Sequence, residues 1–263
     1  MIALAVANLL DLDRVQALLR TEFVGRTVWY QESTSSTMED AAREARAGAP
    51  EGGVAIAEDQ SAGRGRMGRS WVSSPGENLH ITIMVRPELP QLRHLVLITP
   101  LAVCLAIEEL TDLRPRIKWP NDVLIAGKKV CGVLAESALE DGRVLFALVG
   151  VGINVNADMS AYGEIRDIAT SLAGETGQAL SREEVLAATL NHFETLYQAL
   201  GRGEVVSIGW KERLETLGKQ VTVQSSAGAQ EGVAVDSDSD GALILRRKDG
   251  SHVRIEVGEL APG

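Results

Sequence analysis

Three arginines, Arg64, Arg66 and Arg69, alternate with Gly63, Gly65 and Gly68 in the stretch QSAGRGRMGRSW at residues 60–71, which closes on Trp71. Guanidinium groups grip phosphate in a planar fork, glycine lets backbone come close to a ligand, and an indole face can stack a base. A flat anionic ligand such as a nucleotide satisfies all three. Like charges on glycine-rich backbone repel one another and lose entropy when fixed, so the loop is expected to gain order with its ligand. The literal match of GRGRMG to G-x-G-x-x-G does not make a dinucleotide fingerprint. That fingerprint needs a helix directly after the glycines, and here RSWVSSPGENLHITIMV follows, with Pro75, Gly76 and then a strand. An exposed basic turn is the plainer alternative.

A second group of polar residues lies in KWPNDVLIAGKKVCGVLAE, where Lys118, Asn121, Asp122, Lys128 and Lys129 surround a predicted hairpin at Ala126 and Gly127. Lysines on the solvent edge of a hairpin are unremarkable. The WPND segment argues for more, because Trp119 and Pro120 make a stiff extended entry that presents Asn and Asp at a loop start. A third segment, GVGINVN, ends an apolar run on Asn154 and Asn156. These are either turn residues or amides able to read an adenine edge. His80, His94, His192 and His252 are scattered singly and read as structural or surface residues. Cys104 and Cys131 form no CxxC pair and have no histidine at ligand spacing, so they read as free thiols.

Short apolar, β-rich runs bounded by Gly, Pro, Asn or Asp predict strands at 54–58, 79–85, 116–119, 130–136 and 145–155. TMEDAAREARAG carries a Ser/Thr cap signal and ends at Gly48. SREEVLAATLNHFETLYQAL opens on Ser181 with Glu184 as a capping box. A third helix is expected after Thr99, with Pro100 in its first turn. From Lys219 the pattern changes to alternation through Val221, Val233, Leu243, Val253, Ile255 and Val257, which predicts half-buried strands of a small barrel. The domains are read as 1–217 and 218–263. The chain has 263 residues and a formal net charge of −10, which argues against a general nucleic-acid coat or a membrane-surface protein. The opening MIALAVANLLDLD lacks a basic start and reaches Asp11 and Asp13 too soon to span a bilayer, so a cytoplasmic chain without a membrane partner is expected.

Taken in order, AEDQSAGRGRMGRSW, KWPNDVLI with KKVCGVLAE, and GVGINVN resemble the catalytic core of biotin protein ligases across residues 30–157, and the layout continues into the C-terminal strands. Lipoate ligases share the fold and resemble these motifs less. The resemblance implies an α+β fold: a class II synthetase-like catalytic domain with a mixed or antiparallel sheet and helices, followed by a small SH3-like β-barrel. It implies ATP-dependent conversion of biotin to biotinyl-5′-AMP, with Mg²⁺ accompanying ATP. The biotinyl group then passes to one lysine of a biotin carboxyl carrier protein domain of a carboxylase. Carried over by motif, Ser36, Thr37, Gln60, Gly63, Arg64, Lys129 and Gly132 fall on the biotin side. Arg66, Arg69, Trp71, Asn121, Asp122 and Asn154 fall on the nucleotide side, with Asp122 near the metal. Lys129, Arg66 and Arg69 are the expected catalytic groups. Met38 departs from the family, which usually has Asn there, and Ser36 and Thr37 also suit plain helix caps. About 30 residues precede QESTSST and carry only Arg14, Arg20 and Arg26 as cations, so a monofunctional ligase without a DNA partner is expected. A homodimer, a lipoate ligase and a non-enzymatic biotin or nucleotide sensor stay open. The acidic turn DSDSDG is expected to face away from the nucleotide.

Overall fold

The computed structural model describes residues 9–163, 165–225 and 228–261. Strands β1 (Val28–Thr34), β2 (Val54–Gln60), β3 (Leu79–Val85), β4 (Arg116–Lys118), β5 (Asp122–Ile125), β6 (Lys128–Glu140) and β7 (Arg143–Ile153) form one sheet in the order β1-β2-β3-β7-β6-β5-β4. The β1–β2 pair is parallel and the other pairs are antiparallel, so the sheet is mixed. β3 is buried along its whole length, as a central strand covered on both faces should be, with His80 and Thr82 the polar residues on its site face. One face packs α1 (Leu12–Leu18), α3 (Leu95–Leu110) and α5 (Arg182–Gly201) over Leu79, Ile81, Ile83 and Val85. The other face packs α2 (Thr37–Arg46) over Ala55, Met84 and Leu148.

Local sequence accounts for the helix that borders the site. Ser36 caps α2 by accepting the Met38 N–H at 3.3 Å, Glu39 and Asp40 lie in its first turn, and Arg43 and Arg46 in its last, each complementing the helix dipole. Ser181 likewise accepts the Glu184 N–H, but the Glu184 carboxylate reaches across to Arg14 rather than back to the cap. The turn at Ala126 (φ 49°) and Gly127 (φ 80°) closes the β5–β6 hairpin as expected.

Two further expectations need correction. α3 begins at Leu95, so Pro100 lies inside the helix instead of in its first turn. Up to Ile107 the helix is apolar on every side because it is largely buried there, and a run without an amphipathic period or a cap gives its start no signal. Leu89–Leu110 is long and apolar enough to cross a bilayer, but here it is the central core helix. Val257 is not part of the last alternating strand: β11 (His252–Ile255) stops two residues earlier and Val257 is exposed. α1 and the edge strand β1 are additional elements, β1 mixing Gln31, Glu32 and Ser33 into a half-exposed strand that lacks a clean period.

After α4 (Leu172–Thr176) and α6 (Ser207–Glu212) come β8 (Gln220–Ser225), β9 (Gly228–Ser237), β10 (Leu243–Arg246), β11 and β12 (Glu259–Leu260), a five-stranded antiparallel sheet in the order β11-β10-β9-β8-β12. It docks on the back of the WPND segment, where Trp119 Nε1 donates to the Gly241 carbonyl at 3.0 Å and Trp119 N–H donates to Thr216 Oγ1 at 3.0 Å. The acidic turn before β10 is neutralised by Arg93 on Asp240 and Arg254 on Asp238.

Candidate functional site

A cavity of about 700 Å³ opens between the large sheet, the arginine loop and the edge of the small sheet. Its floor depends on period two: Gly150 and Gly152 on β7, with Gly132 on β6 paired to Gly152, present no side chain on the face below α2. A Cβ at Gly152 would sit 2.4 Å from Trp71 Cε2, one at Gly132 would sit 2.8 Å from Trp71 Cζ3, and one at Gly150 would sit 2.9 Å from Met38 Sδ. The Trp71 indole therefore rests flush on bare backbone. Along this face of β7 it lies between Gly150, under Met38, and Asn154, and the two sides of the indole are the first and second arms of the cavity.

The first arm is organised by Gln60 at the end of β2. Its Oε1 accepts the Thr37 N–H at 2.9 Å and the Thr37 hydroxyl at 3.1 Å; Thr82 then donates to Thr37 at 2.8 Å. Ser36 is both helix cap and cavity wall. Met38 is buried on Gly150, so an apolar side chain fills this part of the first arm.

The arginine loop is a narrow hairpin folded over these arms. Trp71 N–H donates to the Gly63 carbonyl at 2.9 Å and Gly65 N–H to the Arg69 carbonyl at 2.7 Å, with Met67 (φ 56°) and Gly68 (φ 74°) at an exposed tip. Arg66 reaches Asn121 Oδ1 at 3.2 Å and the Gly258 carbonyl at 2.9 Å, and Arg69 pairs with Glu259 at 2.5 Å. Burial, with Arg69 nearby, holds the Arg66 guanidinium below its usual basicity against the pull of Glu259 and Asp122. Lys129 pairs with Asp122 at 2.8 Å and lies 5.4 Å from the Trp71 ring centroid. Neighbouring Cys131 is fully buried, and burial pushes its thiol up, as it does for Cys104.

The expected site residues Ser36, Thr37, Gln60, Arg64, Arg66, Arg69, Trp71, Asn121, Asp122, Lys129, Gly132 and Asn154 all line this one cavity. Gly63 does not, and serves as the hairpin partner of Trp71. Asn154 gives one amide N–H to the Thr170 carbonyl at 3.0 Å, and Asn121 gives one to the Val133 carbonyl, which leaves each NH₂ a second hydrogen. Both hold neighbouring backbone in place.

Residues 30–154 match the biotin/lipoate A/B protein ligase family, and residues 216–260 match the biotin protein ligase C terminal domain. The bifunctional ligase/repressor BirA of Bacillus subtilis is 35% identical over 237 residues, which cover 88% of this chain and 73% of that protein. The chain belongs to the biotin protein ligase family. A biotin–(acetyl-CoA-carboxylase) ligase of Paracoccus denitrificans is 34% identical, with 75% of this chain and 85% of that protein covered. A biotin protein ligase from Aquifex aeolicus, solved in complex with biotin and ATP, superposes with a TM-score of 0.77 at 30% identity and covers 90% of this chain and 98% of its own.

Some residues that shape this ligase's cavity were not singled out from sequence. Gly150 and Gly152 were legible, since glycines two apart in an apolar strand bare one face. Thr82, Gly258 and Glu259 carried no local signal, because they meet the site only through pairing of distant strands. His80 is buried, which pulls its ring down to about 4, and its Nε2 lies 3.2 Å from Ser73 Oγ.

Proposed function

We propose that the chain joins biotin to ATP, giving biotinyl-5′-AMP and pyrophosphate, and then transfers the biotinyl group to a lysine of a biotin carboxyl carrier protein domain. One observation carries this reading: in a chain of this family, an arginine hairpin, a lysine and a glycine floor converge on a single two-armed cavity. In the arm with Thr37 and Gln60, the Gln60 oxygen is taken by Thr37 and its NH₂ is offered to the ureido ring, while the Trp71 indole seated on the glycine floor flanks the acyl chain. The arm with Asn121, Asn154 and Ala169 receives the nucleotide, with the Trp71 face between the two.

In the first step the biotin carboxylate attacks the α-phosphorus and pyrophosphate leaves. Negative charge builds on the phosphoryl oxygens, and Lys129 with Arg66 is disposed to offset it. Magnesium enters with the nucleotide as part of the substrate. Mg²⁺ is ordinarily held by one or two carboxylates plus substrate phosphates. Among the described residues no group of three His, Cys, Asp or Glu is gathered as a resident site. Asp122 on the cavity wall suits a metal brought in by the triphosphate. In the second step a neutral acceptor amine attacks the anhydride carbonyl and AMP leaves, while the closed hairpin keeps water from the anhydride. We place the reaction in the cytoplasm, consistent with two free buried thiols.

The test is incubation with MgATP and either biotin or lipoate, with mass detection of the acyl-adenylate, followed by addition of a carrier domain. Biotinyl-adenylate and a biotinylated carrier lysine are expected. Lipoyl-adenylate alone would move the assignment to the lipoate branch, and absence of either adduct would leave a sensor.

A further inference from the structure

Two adjacent serines leave the arginine hairpin in opposite directions. Ser73 turns toward the first arm, where its oxygen accepts the Gln60 N–H at 3.1 Å and meets His80 Nε2 at 3.2 Å. Ser74, buried, turns the other way and lies 2.7 Å from Glu77 Oε2 and 2.6 Å from Tyr162 Oη. A serine has one hydroxyl proton and a carboxylate has none, so Ser74 donates to Glu77 and the Tyr162 phenol donates to Ser74.

Tyr162 in turn opens the segment that walls the second arm. Its carbonyl accepts the N–H of Ile165 at 3.0 Å and of Arg166 at 2.9 Å; the Ile165 carbonyl accepts Ala169 N–H at 2.8 Å. The Ile168 carbonyl accepts Lys129 N–H at 2.8 Å, and the Lys129 carbonyl accepts Thr170 N–H at 2.9 Å. Ile165, Ile168 and Ala169 line the cavity, whereas Ser73, Ser74 and Tyr162 do not. A path of hydrogen bonds and short covalent steps, from Ser73 to Ser74 and along 162–169, thus runs from Gln60 through the exit of the hairpin to the backbone of Lys129. The same exit is pinned further along, where Asn78 Oδ1 accepts Val155 N–H at 3.0 Å and the Glu77 carbonyl accepts Asn156 N–H at 3.0 Å. The Tyr162 phenol is the link that reaches past the strand end to the segment itself.

We propose that Tyr162 is a positioning residue that couples the two arms: its phenol ties the exit of the arginine hairpin to the segment around Ile165 and Lys129, so that filling one arm tightens the other. The identity of the two ligands rests on the function proposed above. Coupling requires an element that both sites bias, and here that element is the hairpin exit with the segment it holds. A neutral hydrogen bond of this kind is worth about a three- to tenfold change in an equilibrium constant.

The experiment uses calorimetry on the full chain. The affinity of a non-hydrolysable α,β-methylene ATP analogue is measured with and without saturating biotin, for the parent, Tyr162→Phe, Ser74→Ala and the double variant. The parent is expected to bind the analogue more tightly when biotin is present. Tyr162→Phe should cut that enhancement about three- to tenfold while biotin affinity alone and the thermal midpoint stay near parental. Ser74→Ala should do the same, and the double variant should lose no more than either single one. An enhancement unchanged in Tyr162→Phe overturns the coupling, as does a parent whose analogue affinity ignores biotin. Equal losses in both affinities with their ratio preserved assign Tyr162 a merely structural role and also overturn it. A parent that binds no biotin at all sinks the functional reading instead.

Discussion

Replacing Gly152 by alanine is the sharpest probe of the cavity floor. The added methyl would lie 2.4, 2.6 and 2.8 Å from Trp71 Cε2, Cζ2 and Nε1. Carbon contacts are comfortable from about 3.5 Å, so the indole must retreat by about 1 Å. Two stability terms oppose each other. Gly152 is in strand β7 and is not among the positive-φ residues, so alanine fits its backbone and restricts the unfolded chain, a gain of about 0.4–1 kcal/mol. Overpacking against the ring costs about 1–3 kcal/mol. The net is a loss of at most about 2.5 kcal/mol, and a fall in melting midpoint below about 10 °C for a chain of this size. Activity should suffer far more, because displacing a positioning group by about 1 Å can cost on the order of 10²-fold. Single-turnover formation of the acyl-adenylate at saturating MgATP, with biotin varied, reads kcat/KM directly. Gly201→Ala is the control, since nothing lies within 4 Å of a Cβ there. Gly152→Ala with parental stability and kcat/KM within about twofold of the parent would refute the argument that Trp71 needs its bare seat.

Lys129→Ala should lower adenylate formation by about 10²-fold or more while the fold persists, checked by pyrophosphate release beside circular dichroism. Glu259→Ala removes the carboxylate that holds Arg69, a half-exposed pair worth about 0.2–1 kcal/mol, so stability should barely move. Escape of the adenylate should rise, read as labelling of bystander lysines; retention equal to the parent would count against a hairpin held by the small sheet. His80, its ring pulled down to about 4 by burial, binds a proton more weakly folded than unfolded. Its contribution to stability is therefore whole above the unfolded value of about 6.5 and is lost as pH falls from there toward 4, by about 3 kcal/mol at the low end. Chemical denaturation at pH 7 and pH 4.5 should show a smaller acid loss for His80→Gln than for the parent.

The legible parts of this molecule were those coded locally. The Ser36 cap, the Ala126–Gly127 hairpin and strands β2, β3, β6 and β7 follow from short-range chemistry, and the motif segments identified the cavity residues together with the family. What escaped was coded by distance or by burial on all sides. α3 hides its start because Leu95, Leu97 and Ile98 are all in the core and no polar face marks a period. β1 is polar enough at Gln31 and Glu32 to pass for a loop until β2 is laid beside it. Within the site, Asn121 and Asn154 have the residue type expected for base recognition, yet the backbone carbonyls of Val133 and Thr170 each take one of their amide hydrogens. Sequence shows which residues have donors; only the fold shows where the donors go.

The contacts of Arg66 and Arg69 differ in kind, and ionic strength separates them. Arg69 is 66% exposed and is held by an ion pair, while Arg66 is held by an amide oxygen and a carbonyl in a more sheltered position. At about 0.15 M salt the screening length is about 8 Å, which weakens the exposed pair and leaves sheltered contacts nearly untouched. Rising salt therefore releases the outer strut of the hairpin while the inner one stays fastened to the small sheet. One guanidinium acts as a salt-sensitive clasp and the other as a salt-resistant hinge pin, so retention of a bound intermediate depends on the buffer even when the affinity for a neutral fragment does not.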